Sequence, residues 1–111
     1  MTQKNTVLLI DAQKIADWLG VSLKEFAPAI HMEFIALREN SSPLSAQTEL
    51  YIIQNVLEIL SKTFKQHEDR LNWLNYHHPD LGNRKPMDVI LSGHAEAVRV
   101  ILSNAVDGLP S

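Results

Sequence analysis

The sequence predicts an all-α protein: a compact multi-helix domain with a helix-turn-helix-like first part and a small helical second part. Apolar residues recur every three or four positions in several stretches, the longest covering about twenty residues. Helix caps and breakers, such as Asp11, Ser22 and Pro86, separate these stretches. Of the 111 residues, 45% are hydrophobic and 21% charged, which is typical of a globular chain that buries a core.

The composition also bounds the function. A net charge of −3 argues against a protein whose main task is to neutralise phosphates, although a local DNA-reading face stays compatible. Without cysteine there is no disulfide, zinc–thiolate site or cysteine nucleophile, so a cytoplasmic location is expected. The apolar run at 7–10 is too short for a membrane span or a signal peptide. We expect a soluble protein with no membrane partner.

The first helix is predicted over residues 12–19. Asp11 suits its N-cap, and Gly20 ends it after apolar residues at helical spacing. The start of the chain is less determined: 1–6 is polar and loose, and 7–10 fits either a short strand or an apolar lead-in that packs against a neighbour or a second copy.

A helix-turn-helix outline follows. Ser22 and Glu25 predict a capping box for the second helix. Pro28 lies too deep for that helix to continue, so we expect a break before it and a third helix over 29–38, which ends at 40–43.

A DNA-reading third helix needs polar and basic side chains near its N-terminus. Residues 11–45 contain three basic and five acidic residues. This balance favours a helix-turn-helix-like fold over a working DNA reader. The candidate DNA-binding residues are Lys24, His31 and Arg38.

A long helix is predicted after Ser45 as N-cap, because apolar residues recur as far as Phe64. Ile52, Val56 and Ile59 widen its apolar stripe beyond what a surface helix needs. Two explanations stay open: a contact with a second subunit in a homodimer, which we favour, and packing between the two halves of one chain. The polar run at 65–69 predicts a hinge between these halves.

The last third of the chain predicts a short helix, a loop and two further helices. The short helix ends near Tyr76, and its Trp73 anchors either the core or a partner's pocket. The loop at 77–83 directs Leu81 inward. Pro86 and Asp88 begin the next helix and Gly93 ends it. The final helix begins at His94 or Ala95 and ends at Gly108, before a tail that is either frayed or an insertable peptide.

Six features of this last third follow one another in a distinctive order. They are Trp73-Leu74, Pro79-Asp80-Leu81-Gly82, Pro86-Met87-Asp88, Gly93, Val98 with Leu102, and Gly108. In this order they resemble the C-terminal toxin-binding domain of Xre/MbcA/ParS-type antitoxins, over about forty residues. The N-terminal similarity is limited to residues 15–22.

The resemblance implies an antitoxin of a type II toxin–antitoxin system. Its partner would be a RES-type toxin, an enzyme that degrades NAD, whose active site is blocked by the antitoxin's C-terminal end. The resemblance also implies a homodimer, repression of the antitoxin's own operon through operator DNA, and a division into an Xre-like part at 1–66 and a toxin-binding part at 67–111. The Pro-interrupted third helix departs from the family pattern and weakens the repressor role.

The tail has chemistry that suits this mechanism. An NAD cleft holds anionic phosphates, so the carboxylates of Asp107 and Ser111 match its basic residues, while Leu109 fills an apolar subsite. Basic residues nearby are candidates for a polar rim, and solvated surface charge is the alternative explanation for each of them. The candidate toxin-binding residues are Arg84, Lys85, Arg99, Asp107, Gly108, Leu109, Pro110 and Ser111.

Other site chemistries are not favoured. The five histidines do not show the spacing of a metal site, and His77 and His78 are expected to be exposed in a loop. Ser92, His94 and Glu96 are near one another in sequence, which does not make a catalytic group. We expect a non-enzyme without cofactor or metal. The alternative function is a sequence-specific helix-turn-helix DNA-binding regulator without a toxin partner.

Overall fold

The computed structural model describes residues 8–107, and the all-α prediction is confirmed for this part of the chain. Its α-helices are α1 (Ala12–Leu19), α2 (Leu23–Phe26), α3 (Phe34–Glu39), α4 (Gln47–Thr63), α5 (His67–Leu74), α6 (Pro86–Leu91) and α7 (Ala95–Asp107). Short 3₁₀ turns lie at Ala27–Ile30, Leu44–Ala46 and Pro79–Leu81. The predictions for residues 1–7 and 108–111 lie outside the described residues.

Local capping defines the first two helices as predicted. The Asp11 carboxylate accepts a hydrogen bond from the Gln13 amide (2.9 Å), and Gly20 ends α1 with φ of 77°. Ser22 and Glu25 exchange two hydrogen bonds of 3.0 Å, each side chain accepting from the other residue's amide. The predicted capping box is therefore present.

The predicted third helix over 29–38 is wrong in its first half. Ala27–Ile30 is a 3₁₀ turn that ends at His31 with φ of 58° and ψ of 38°, and α3 begins only at Phe34. The amide of His31 donates to the carbonyl of Pro28 at 3.1 Å, which closes the turn. Pro28 has no amide proton to continue α2, and the tighter turn buries Ile30 in the core.

The start of α4 also differs from the prediction. Ser45 is not its N-cap, because a 3₁₀ turn at Leu44–Ala46 precedes the helix, and Gln47 is the first helical residue. The Gln47 side chain is instead occupied with the backbone of Ile10, which it binds at both the amide and the carbonyl. A tertiary contact thus occupies the end of the helix where a local cap was expected.

Of the predicted hinge at 65–69, only residues 65 and 66 lie outside a helix. Its last three residues form the first turn of α5. Arg70 donates hydrogen bonds to the carbonyls of Phe64 (2.8 Å), Ser61 (3.3 Å) and Lys65 (3.3 Å). One guanidinium therefore holds the end of α4 against the start of α5.

A single apolar core joins both predicted parts of the chain, with members from α1 to α7. Helix α4 packs most extensively on α7, and α5 and α6 complete this half. Val56 is buried, and Ile52 and Ile59 are half-buried against the same core. The surplus apolar residues of α4 are therefore satisfied within one chain, as the alternative explanation held, and the homodimer stays a prediction.

Candidate functional site

The loop between α5 and α6 brings the candidate residues Arg84 and Lys85 to the surface. Its backbone closes on itself, because the His78 amide donates to the Arg84 carbonyl and the Asn83 amide to the His78 carbonyl, both at 3.0 Å. Gly82 and Asn83 have φ of 67° and 63°, the left-handed values that such a tight loop requires. The geometry of this loop therefore determines the backbone positions from which the Arg84 and Lys85 side chains extend.

Two apolar side chains attach the loop to the core. Leu81 is half-buried against it, as predicted. Trp73 is also half-buried against the core, and its ring lies 6.1 Å from that of His78, between centroids. Helix α5 ends at Leu74, two residues before the predicted end at Tyr76. Of the two roles foreseen for Trp73, the structure supports the core role.

Ser92 is a hydrogen-bonding centre at the end of α6. Its hydroxyl donates to the Val89 carbonyl (2.9 Å) and accepts from Nη2 of Arg84 (3.3 Å). Nδ1 of His94 lies 3.2 Å from the same oxygen. The Ser92 oxygen thus lies within hydrogen-bond distance of Arg84, His94 and the Val89 carbonyl at the end of α6.

His31 lies on this same surface, although it was predicted to bind DNA. Its exposed imidazole contacts the turn between α6 and α7, where a Cβ built on Gly93 would be 2.5 Å from Cε1 of His31. Gly93 has φ of 92°, as its predicted role at the end of α6 requires. The structure therefore brings His31 and Arg84 to adjacent residues of one turn, Gly93 and Ser92.

Arg99 lies on α7 and is already paired. Its guanidinium makes two hydrogen bonds with the carboxylate of Glu96, one from Nε and one of 3.0 Å from Nη2. The hydrogen bond from Arg99 lowers the pKa of Glu96, and the same bond raises the pKa of Arg99. The Glu96 side chain is exposed, and the Arg99 side chain is half-buried. A partner that binds Arg99 would therefore compete with a helical ion pair that is partly open to solvent.

The remaining candidate residues are not brought to this turn. Lys24 and Arg38 are exposed on α2 and α3, and the Arg38 guanidinium lies 5.8 Å from the centroid of the Phe34 ring. The predicted role of the Asp107 side chain, and of residues 108–111, falls outside the described side chains. The structure thus gathers Arg84 and His31 at one turn and places Lys85 next to Arg84, whereas Lys24 and Arg38 lie on α2 and α3.

A groove between α1 and α4 was not found by sequence reasoning. It has a volume of about 430 Å³, and its lining residues are Lys14, Ile15, Trp18, Gln54, Leu57, Glu58, Ser61 and Lys62. The Trp18 wall is held by His67, whose ring stands edge-on to it at 4.5 Å and whose Nε2 lies 2.9 Å from the Trp18 carbonyl oxygen. No local sequence signal reports this groove, because its walls are about forty residues apart.

Across residues 8–107, no group of three or more His, Asp or Glu side chains could hold a metal ion. His67, which the sequence places near His77 and His78, packs on Trp18 instead. In the same part of the chain, the helices are too short or too polar to cross a membrane.

Comparison with known proteins found no family model, curated protein or solved structure that matches this chain.

Proposed function

We propose that this chain is the antitoxin of a type II toxin–antitoxin system. It binds a RES-type NAD-degrading toxin and inhibits it by blocking the active site with its C-terminal end. The chain itself acts by occupying the site and has no catalytic role in this proposal.

The observation that carries the proposal is the structural use of the sequence pattern in the last third. Gly82 and Gly93 both have positive φ, and Pro86 is the first residue of α6. Val98 and Leu102 are buried where α7 packs on the rest of the molecule. Each residue type suits its position for a physical reason, and the chain continues from these positions through α7 to residues 107–111.

The cations of this unit supply the contact surface. Arg84 uses Nη2 on Ser92 and has further N–H groups for a partner, while Lys85 is half-buried beside it. When the toxin binds, Arg99 breaks its ion pair with Glu96 and binds an acidic group of the toxin instead. These residues bind at the edge of the cleft, and 107–111 enters it. Cations at the edge steer the encounter, whereas the inserted segment determines inhibition.

The test is a co-purification from the native host with three baits: the full chain, the chain ending at Val106, and a control lacking residues 2–6. Captured proteins are identified by mass spectrometry and assayed for NAD consumption. We expect the full chain and the control to capture and inhibit a RES-type enzyme, and the chain ending at Val106 to fail to inhibit it. The proposal is wrong if the full chain captures no such enzyme while the toxin is expressed, or if the chain ending at Val106 inhibits equally.

Binding to operator DNA is a second candidate function. The chain would then either repress its own operon in addition to binding a toxin, or act as a DNA-binding regulator that has no toxin partner. Lys24 and Arg38 are exposed on α2 and α3, which pack against each other. Affinity for the chain's own promoter should then fall steeply with salt and with Lys24→Ala or Arg38→Ala. An affinity that does not depend on salt would count against this role.

A further inference from the structure

Four polar side chains from three parts of the chain meet at the turn between α6 and α7. Ser92 and His94 belong to this turn, and Nδ1 of His94 lies 3.2 Å from the Ser92 hydroxyl oxygen. Arg84 reaches the same oxygen from the loop before α6, with its Nη2 at 3.3 Å. His31 ends the 3₁₀ turn before α3, and its ring lies against Gly93. The side chains of residues 31, 84, 92 and 94 form a donor cluster.

The donor cluster is open to solvent, because all four of its residues are exposed. Arg84 has five N–H groups, of which one is directed to Ser92, so the others are left for a ligand. Each imidazole can present a ring N–H and carries a positive charge when it is protonated. The Ser92 hydroxyl donates to the Val89 carbonyl and can rotate towards a stronger acceptor. The cluster therefore offers N–H and O–H donors from four side chains.

The carboxylates in this region leave the charge of Arg84 available. Among the described side chains, the only ion pair joins Arg99 to Glu96, so no carboxylate is paired with Arg84. Asp88 is exposed on the same side of α6 as Ser92, since the Ser92 amide donates to its carbonyl across one helical turn. A bound anion would therefore neutralise Arg84, and Asp88 would oppose it.

The donors select one class of ligand. Arg84 repels a metal cation, and within residues 8–107 no three metal-ligating side chains lie together. A carboxylate has two oxygens, which the guanidinium alone can bind, whereas a tetrahedral phosphate has further oxygens for hydroxyl and ring N–H donors. A nucleic acid needs a wide basic surface, which a chain with a net charge of −3 is not expected to provide. The chemistry therefore fits a single phosphate group.

From this geometry we propose that the donor cluster is a binding site for one phosphate group, either as free phosphate or as a phosphate monoester. The Arg84 guanidinium binds two phosphate oxygens, and Ser92 and the two imidazoles donate to the others. The site goes beyond the proposed function. Although Arg84 also belongs to the proposed toxin contact, phosphate binding is measured on the chain alone. A chain that binds phosphate but no toxin, or the reverse, would separate the two proposals.

The test is a titration of the purified full chain with inorganic phosphate, followed by NMR of the backbone amides, with sodium chloride at equal ionic strength as reference. We expect saturable shifts at residue 31 and at residues 92–94. Arg84→Ala should weaken phosphate binding at least about tenfold, because it removes the charged donor. The matched control is Arg38→Ala, which removes the same side chain from an exposed position on α3 and should leave binding unchanged.

Two further variants change the site in opposite directions. Ser92→Ala removes one uncharged donor and should weaken phosphate binding about threefold. Asp88→Asn removes a negative charge from the same side of α6 and should tighten it. Thermal unfolding of each variant shows that the fold is kept. A weaker affinity in Asp88→Asn would contradict the proposed position of the anion.

Adenosine monophosphate, with adenosine as its control, identifies the form of the ligand. Equal affinity for phosphate and for the monophosphate assigns the site to free phosphate, and tighter binding of the monophosphate assigns it to a phosphate monoester. The proposal is overturned if phosphate shifts the amides no more than chloride does. It is also overturned if adenosine binds as tightly as its monophosphate, or if Arg38→Ala weakens binding as much as Arg84→Ala.

Discussion

The imidazole of His31 lies against Gly93, so closely that a Cβ added to residue 93 would be 2.5 Å from its Cε1 atom. His31 ends the 3₁₀ turn Ala27–Ile30, and Gly93 connects α6 to α7. Both residues have positive φ. This contact joins the first part of the chain to the last third and depends on the absence of a side chain at residue 93.

Gly93→Ala should destabilise the fold by about 1–2 kcal/mol, mainly through the left-handed backbone and additionally through displacement of the exposed His31 ring. The matched control is Gly20→Ala. Gly20 also has positive φ but has nothing within 4 Å of a built Cβ, so only the backbone cost of about 1 kcal/mol is expected. Urea unfolding measures both. Adding His31→Ala to Gly93→Ala should restore part of the loss, and strictly additive effects would contradict the contact.

Ser22→Ala should lower the unfolding free energy by about 1 kcal/mol, because the Glu25 amide loses the acceptor that caps α2. Ser45→Ala is the matched control, since Ser45 is exposed and precedes Ala46, which occupies the N-cap position of α4 without a side-chain hydrogen bond. Thermal unfolding of the two variants compares these sites. A loss at Ser45 equal to that at Ser22 would argue against a specific cap.

The capping box also predicts a pH dependence. The backbone amide of Ser22, and secondarily its hydroxyl, lower the pKa of Glu25 below its ordinary 4.5. Because the folded pKa is below the unfolded one, this stabilisation is present above about pH 4.5 and is lost as pH falls through the folded value. Glu25→Gln should therefore flatten the acid side of the stability curve. An unchanged dependence below pH 4.5 would show that Glu25 does not contribute.

Arg70→Ala should destabilise the junction of α4 and α5 by about 1–3 kcal/mol, because three carbonyls lose a charged donor. Arg70→Lys keeps the charge but lacks the planar fork, so it should recover only part of the loss. Amide hydrogen exchange in the last turn of α4 should increase in both variants. Full recovery in Arg70→Lys would mean that the charge matters and the geometry does not.

Arg84→Ala and Arg99→Ala should weaken toxin binding mainly through slower association, with little change in melting temperature. Lys24→Ala removes the same charge from a helix outside the proposed contact and serves as the control. Association rates at two salt concentrations provide the measurement. If Lys24→Ala slows association as much as the arginine variants do, the effect comes from net charge and the proposed edge of the contact is wrong.

The pairing of Arg99 with Glu96 adds a pH dependence to the same contact. When the pH is below the lowered pKa of Glu96, the Glu96 carboxylate is protonated and no longer forms an ion pair with Arg99. Glu96→Gln should release Arg99 at neutral pH, so this variant is expected to bind the toxin faster than the natural chain. A slower association would show that Glu96 itself faces the partner.

The sequence by itself determined those helix ends that depend on local chemistry. These local signals are Asp11 with Gly20, the capping box at Ser22, Pro86 and Gly93. Each of them acts on hydrogen bonds or backbone angles within a few residues, so its effect can be predicted before the fold is known. The C-terminal residue pattern was equally visible, because it consists of such local requirements. Arg84, Lys85 and Arg99 could be identified as basic residues, but their partners could not.

The tertiary structure decided what depends on residues distant in sequence. Gln47 replaces a local cap because Ile10 packs beside it, and the turn before α3 tightens because Ile30 enters the core. His31 packs against Gly93 in the α6–α7 turn, and the α1–α4 groove exists only once both helices are packed. Local preferences amount to about 1 kcal/mol each, whereas burial of one large apolar side chain contributes about 1.5–3 kcal/mol, so packing prevails where the two conflict.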